Sequence, residues 1–362
     1  MISSFEKLSR NQGIDLLRIG AMLMICVLHT LGKGGVLSSV VPGSAQDHVA
    51  WVLEISCFCA ANCYALISGY LLFDRPFSFS RVIHLWTIIV FFTVSITLIM
   101  FATKQVSFDR TLLYDAFLPI TRCQYWYLTA YFGVYLFSPF LNAAVKSLDG
   151  VFTKKIFLVA FILLCILPTF LGGDPFCLRS GYSMLWIGIL YIVGASIKKY
   201  DSYINIPSSR CILFFFAAII LTYIVKLILP PLFLAVWNVN NDGKMFVSYT
   251  SPTMVIASIA LFLLCKRIQI NEKNCRLLGR FASASLSVYI IHAHPLIWNH
   301  YVLNFAQDFV SSAVVIFAFK IIVSALSILL FCSIIDFVRQ GIFKLLRITT
   351  LCKYADRIII KK

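Results

Sequence analysis

Arg18 and His29 are the two residues whose types and spacing most suggest chemistry. Both lie in the apolar run 13–32, GIDLLRIGAMLMICVLHTLG, which is long enough to begin a membrane crossing. Ionisable side chains inside such a run are expensive and mark function by default. The eleven residues from Arg18 to His29 cover about 16 Å of helix and return to roughly the same face. The pair would offer a fixed cation near one membrane surface and a proton-accepting imidazole deep in the bilayer. The bland alternative is an Arg that snorkels to the headgroups and a His that is a hydrogen-bonded packing residue.

Other candidates cluster around this pair. Counting back from Asp74 at the expected inner surface, Asn62 lies about 18 Å deep on an antiparallel helix, close to the depth of His29. Glu54 lies nearer the outer surface, and either residue could orient the imidazole. Arg75 and Arg81 precede and open the third apolar run. With Arg18 they could form a cluster suited to phosphate, since a guanidinium donates two parallel hydrogen bonds. Arg122 and His292 are further orienting or acceptor-side candidates. Asp15, three residues before Arg18, reads as a local charge partner. No metal site is expected. His292 and His294 point to different helix faces, and Cys57, Cys59 and Cys63 have no His or acid at ligand spacing. Lys320, deep in the last run, is expected to face the bundle interior or a wet cavity.

The elements that must position these residues are membrane helices. The chain has 362 residues, 60% hydrophobic and 13% charged, with a mean hydropathy of +0.89. A soluble domain could not clothe its surface with so little charge. The apolar segments are 13–32, 49–73, 82–103, 125–143, 156–172, 182–197, 211–229, 248–265, 283–303 and 311–337. They predict an all-α polytopic membrane protein of about ten transmembrane helices. The net charge of +16 comes from Lys and Arg in short loops, which argues for membrane topology rather than nucleic acid as partner. With the N-terminus inside, Lys7, Arg10, Arg75, Arg81, Lys273, Arg339 and many others fall on the inner side. Only Lys33, Lys104, Arg110, Arg122, Arg179 and Lys244 fall in outer loops. Both termini are therefore expected in the cytoplasm. This divides the chain into a cytoplasmic N-terminus 1–12, a membrane domain 13–337 and a basic cytoplasmic tail 338–362. The first run follows a polar start and lacks a small-residue cleavage site, so it reads as a retained helix.

Loops add smaller expectations. Gly32, Gly34, Gly35, Pro42 and Gly43 suggest a flexible link. Residues 104–124 suggest a lid or re-entrant piece, and Pro230-Pro231 a helix stop. The aromatic density at the start of 125–143 reads as an interface belt. Ser68-Gly69 reads as a small-residue packing site, and Cys123 and Cys177 could pair outside.

Four stretches, taken in order, are similar to one known family: IDLLRIGAMLMICVLH (14–29), LISGYLLF (66–73) with Arg81 beyond it, YWYLTAYFGVYLFSPFLN (125–142) and SLSVYIIH (285–292). The chain resembles the membrane-bound acyltransferase family 3, multi-span enzymes that acylate bacterial surface polysaccharides. The Arg and His of the first helix carry the most specific part of the likeness. The resemblance implies a ten-helix core in the bacterial inner membrane and acetyl-CoA or another acyl-CoA as cytoplasmic donor. It implies a hydroxyl of O-antigen, capsule, exopolysaccharide or a lipid-linked oligosaccharide precursor as acceptor. It maps His29 to the catalytic histidine and Arg18 to the essential basic residue. Arg81 falls in a family pattern of paired arginines, from which the Arg75–Arg81 spacing departs. On this basis His29 acts either as general base on the acceptor hydroxyl or as a nucleophile that is itself acylated. The competing reading is a transporter or flippase of a lipid-linked or small sugar, because intramembrane charges also line substrate pathways. The residues do not specify the acyl group, the acceptor sugar or the oligomeric state.

Overall fold

The computed structural model describes residues 11–270 and 272–360. Helices dominate, and no strand occurs among the described residues. Lys7 and Arg10, counted toward the inner charge, lie outside the described residues, as does the side chain of Lys273.

α1 (Gln12–Leu31) begins where Asn11 accepts a hydrogen bond from the Ile14 N–H at 3.0 Å, the usual device for an orphan donor at a helix start. A single-turn α2 (Val36–Ser39) leads to α3 (Ala45–Cys57) and α4 (Ala60–Leu72), which make one crossing broken at Phe58–Cys59. α5 (Phe79–Ala102) and the short α6 (Arg110–Phe117) follow, then α7 (Trp126–Ser147). α8 (Gly150–Phe161) and α9 (Leu167–Leu171) are joined by one π-helical stretch at Ile162–Ile166. α10 (Met184–Lys199), α11 (Ser208–Trp237) and α12 (Pro252–Cys265) precede α13 (Glu272–His292) and the one-turn α14 (Pro295–Ile297). α15 (Val314–Leu345) and α16 (Ile348–Ile360) end the described chain.

This is an all-α polytopic membrane protein. Among the described residues, seven helices or helix pairs are long and apolar enough to cross a membrane, the pairs α1–α2, α3–α4 and α8–α9 each counting once. The expected segments 182–197, 248–265 and 283–303 are helical too, as α10, α12 and α13–α14. α1 packs against α3, α4, α12, α13 and α15, so the helix carrying Arg18 and His29 is central. Close approach depends on glycine. A Cβ on Gly69 would lie 1.9 Å from the Tyr191 carbonyl oxygen, and one on Gly194 2.2 Å from that of Leu66. α4 and α10 therefore touch backbone to backbone, as small residues permit in membranes.

Several details differ from the sequence expectations. The glycine link after α1 is a tight joint. Asn304 N–H donates to the Lys33 carbonyl and Ala306 N–H to that of Gly34, both at 2.9 Å. Gly35 has a φ of +89°, which only glycine adopts freely. α11 runs through Pro230 and Pro231 to Trp237. Lys320 lies in the second turn of α15 and its ammonium donates back to Ser312 Oγ at 2.7 Å. It snorkels toward the helix start and does not enter the bundle interior. Cys123 and Cys177 are free thiols. α15 passes the expected boundary at 337, and Arg339 is buried and ion-paired with Asp336 at 2.8 Å. α16 is folded against α5. Asp356 accepts hydrogen bonds there from Ser78 Oγ at 2.8 Å and from the Phe79 N–H at 3.1 Å.

Candidate active site

Helix packing leaves one large cavity of about 780 Å³ beside α1. Its lining runs from Arg18 and Arg81 at one end to Lys33, Glu54 and Gln124 at the other, with His29 on the wall between. Chain direction sets this order. α1 runs away from the arginine end, α4 returns to it, and α5 leaves it again carrying Arg81 in its first turn.

His29 is held by two neighbours. Its ring stands edge-on to Trp298 with centroids 4.5 Å apart. Its Nδ1 lies 2.8 Å from His292 Nε2. The other nitrogen of His292, Nδ1, is 2.5 Å from the Val288 carbonyl oxygen. A carbonyl can only accept, so His292 Nδ1 must carry the hydrogen. In a neutral His292, Nε2 is then the acceptor, and His29 Nδ1 must donate to it. Neutral His29 keeps its lone pair on Nε2. A hydrogen bond on one imidazole nitrogen deciding the role of the other is general for histidine. The outcome is a base or nucleophile of fixed tautomer beside a cavity.

At the arginine end, Arg18 Nη1 is 3.9 Å from Asp15 Oδ1, beyond hydrogen-bond length. Arg81 gives one N–H to the Pro76 carbonyl at 3.2 Å. Both therefore keep guanidinium donors for an anion. Tyr131, also on the cavity wall, is within electrostatic reach of both. The Tyr64 hydroxyl donates to the Arg18 carbonyl at 2.6 Å, tying α4 to this part of α1.

The structure thus brings Arg18, Arg81, His29 and Glu54 to one cavity and joins His292 to His29 behind its wall. It does not bring the other candidates there. Asn62 is fully buried, with its amide donating to the Tyr249 carbonyl at 2.8 Å and accepting from Trp186 Nε1 at 3.1 Å. These bonds tie α4 to α10 and to the segment before α12, and Asn62 is absent from the lining of the cavity. Arg75 is exposed and absent from the lining. Arg122 is exposed and paired with Asp115 at 2.7 Å. Among the described residues there is no group of three or more His, Cys, Asp or Glu placed to hold a metal.

The unforeseen residues are aromatic. Trp126, Tyr127, Tyr182, Tyr249, Tyr289 and Trp298 all face the cavity. The density of rings at the start of α7 was visible in the sequence, but a belt facing lipid and a lining facing inward have the same composition.

Compared with known proteins, residues 11–334 match the acyltransferase domain of acyltransferase family 3. No curated protein and no solved structure matches the chain.

Proposed function

Because the chain belongs to acyltransferase family 3, we propose that it transfers an acyl group, acetyl first among the candidates, from acyl-CoA to a hydroxyl of a cell-surface polysaccharide or its lipid-linked precursor. The family makes it a membrane acyltransferase; donor, acceptor and orientation are our proposal. The observation that carries this reading is the hydrogen-bonded His29 on the wall of a cavity that runs from Arg18 and Arg81 to Glu54 and Lys33. The excess of Lys and Arg in the loops on the arginine side supports placing that end in the cytoplasm of a bacterial cell in this reading, with the membrane crossed many times.

In this reading Arg18 and Arg81 bind the phosphates of the donor, and the thioester lies near His29. His29 Nε2 accepts the proton of the acceptor hydroxyl as its oxygen bonds to the acyl carbon. The C–S bond then breaks, and His29 returns the proton to the departing CoA thiolate. His292 holds the imidazole by accepting the Nδ1 hydrogen throughout. The same lone pair would serve if His29 were first acylated and then passed the group to the hydroxyl.

The test uses purified protein in lipid nanodiscs with labelled acetyl-CoA and the polysaccharide precursors of the source cell. Labelled glycan formed by the parent and lost in His29→Ala supports the reading. Label left on the parent protein after denaturation identifies the acyl-histidine route. Parental turnover in His29→Ala sinks the reading. Transport of a sugar without acetyl-CoA consumption would replace it with the transporter.

A further inference from the structure

One polar atom at the far end of the cavity has no partner. Glu54 Oε2 is buried without a hydrogen bond, and Glu54 lines the cavity. A buried carboxyl oxygen without a partner is expensive, so its presence on a cavity wall needs an explanation. Lys244 acts on Glu54 electrostatically, but its ammonium is exposed and paired with Asp242 at 3.2 Å. It does not supply the missing hydrogen.

Aromatic rings surround the same place. Trp126 stacks with Tyr249 at 5.9 Å and an interplanar angle of 26°. Tyr182 closes the group, with centroids 4.6 Å from Trp126 and 5.0 Å from Tyr249. Phe58 packs on Tyr249 at 4.8 Å. Glu54 is within electrostatic reach of Tyr182 and Tyr249. Connectivity puts this group at the end away from the arginines, because α7 starts there and Glu54 precedes the α3–α4 break.

We infer that Glu54 and Trp126 form a subsite for one neutral hydroxylated ring, whose apolar face lies on the indole and whose hydroxyls bond to the carboxyl group. A carboxyl accepts at its oxygens and, when protonated, donates one hydrogen, so it suits sugar hydroxyls, which can do both. Flat rings beside it suit the axial C–H face of a pyranose. This deepens the proposed transfer, on which it rests for the statement that the bound ring is the acceptor.

The probe is a set of methyl pyranosides (glucoside, galactoside, mannoside and rhamnoside), titrated into the full-length protein in nanodiscs and followed by tryptophan fluorescence. At least one should change the emission. The change should vanish in Trp126→Phe, and the apparent affinity should fall about tenfold or more in Glu54→Leu, the size expected when a hydrogen-bond partner is removed and the other is left unpaired. Glu54→Leu should melt at or above the parental temperature, because the orphan polar group is gone. No Trp126-dependent signal from any pyranoside, or parental affinity in Glu54→Leu, overturns the subsite. So does a response to tetramethylammonium in place of the sugars, or a marked drop in melting temperature in Glu54→Leu. Acetyl-CoA consumption by the parent is measured in parallel. Its absence defeats the proposed transfer while leaving sugar binding standing, so the two failures are told apart.

Discussion

His29 Nδ1 and His292 Nε2 meet at 2.8 Å across 263 residues of chain. The contact joins α1 to the last turn of α13, and the Val288 carbonyl beyond it fixes which nitrogen carries which hydrogen. A mobile imidazole would divide its time between tautomers. This one presents Nε2 continuously.

Loss of the imidazole in His29→Ala should lower turnover about 10²–10⁴-fold, the usual contribution of a positioned general base. His292→Phe keeps a ring but removes the acceptor for Nδ1–H. It should cost roughly 10–100-fold, by analogy with partners that orient metal-bound histidines. His292→Gln restores an amide oxygen and should recover part of the rate. Steady-state rates at matched membrane protein levels check this, and equal rates for Phe and Gln would remove the orienting role.

Arg18→Ala and Arg81→Ala should each raise the KM for acetyl-CoA about tenfold or more, since hydrogen bonds to charged groups contribute roughly 1.5–3 kcal/mol. Arg18→Lys should rescue incompletely, because an ammonium lacks the planar fork. S-acetylpantetheine has no nucleotide phosphates, so the same substitutions should barely change its KM. Equal sensitivity for both donors would show that the arginines do not bind phosphate.

Gly69→Ala and Gly194→Ala should each destabilise the protein by about 1–3 kcal/mol through overpacking. In each case the new methyl group would meet backbone oxygen within 2.2 Å. Thermal melting in detergent reads the effect directly. A parental melting temperature in both variants would mean that α4 and α10 are not in backbone contact.

The legible part of this molecule was the part written in local composition. Apolar runs marked the helices, and charges inside the first run singled out Arg18 and His29. What stayed hidden depended on partners far along the chain. His292 could be named as a candidate, but its bond to His29 is long-range. Asn62 had the right depth, yet depth does not say which way an amide points, and its bonds run to Tyr249 and Trp186. Lys320 was misplaced because the start of α15, which puts it within reach of Ser312, has no strong sequence signal. Trp126 and Tyr127 were misread because lipid and an aromatic-lined cavity favour the same side chains.

A reporter fused after Lys362 should read as cytoplasmic, and one inserted in the loop between Asn238 and Gly243 as external. Protease protection or alkaline phosphatase activity would measure this. The opposite pattern would invert the cavity and place the arginine end on the wrong side for a cytoplasmic donor.

Asp356 caps α5 from 277 residues away, and this has a consequence in time. α5 carries Arg81 into the membrane early in synthesis, with the donors of its first turn uncapped. At about 5–20 residues per second, the ribosome needs roughly 14–55 s more to deliver Asp356. The arginine end of the cavity is thus completed only after α16 has been made, and until then the helix bearing Arg81 begins with a frayed turn.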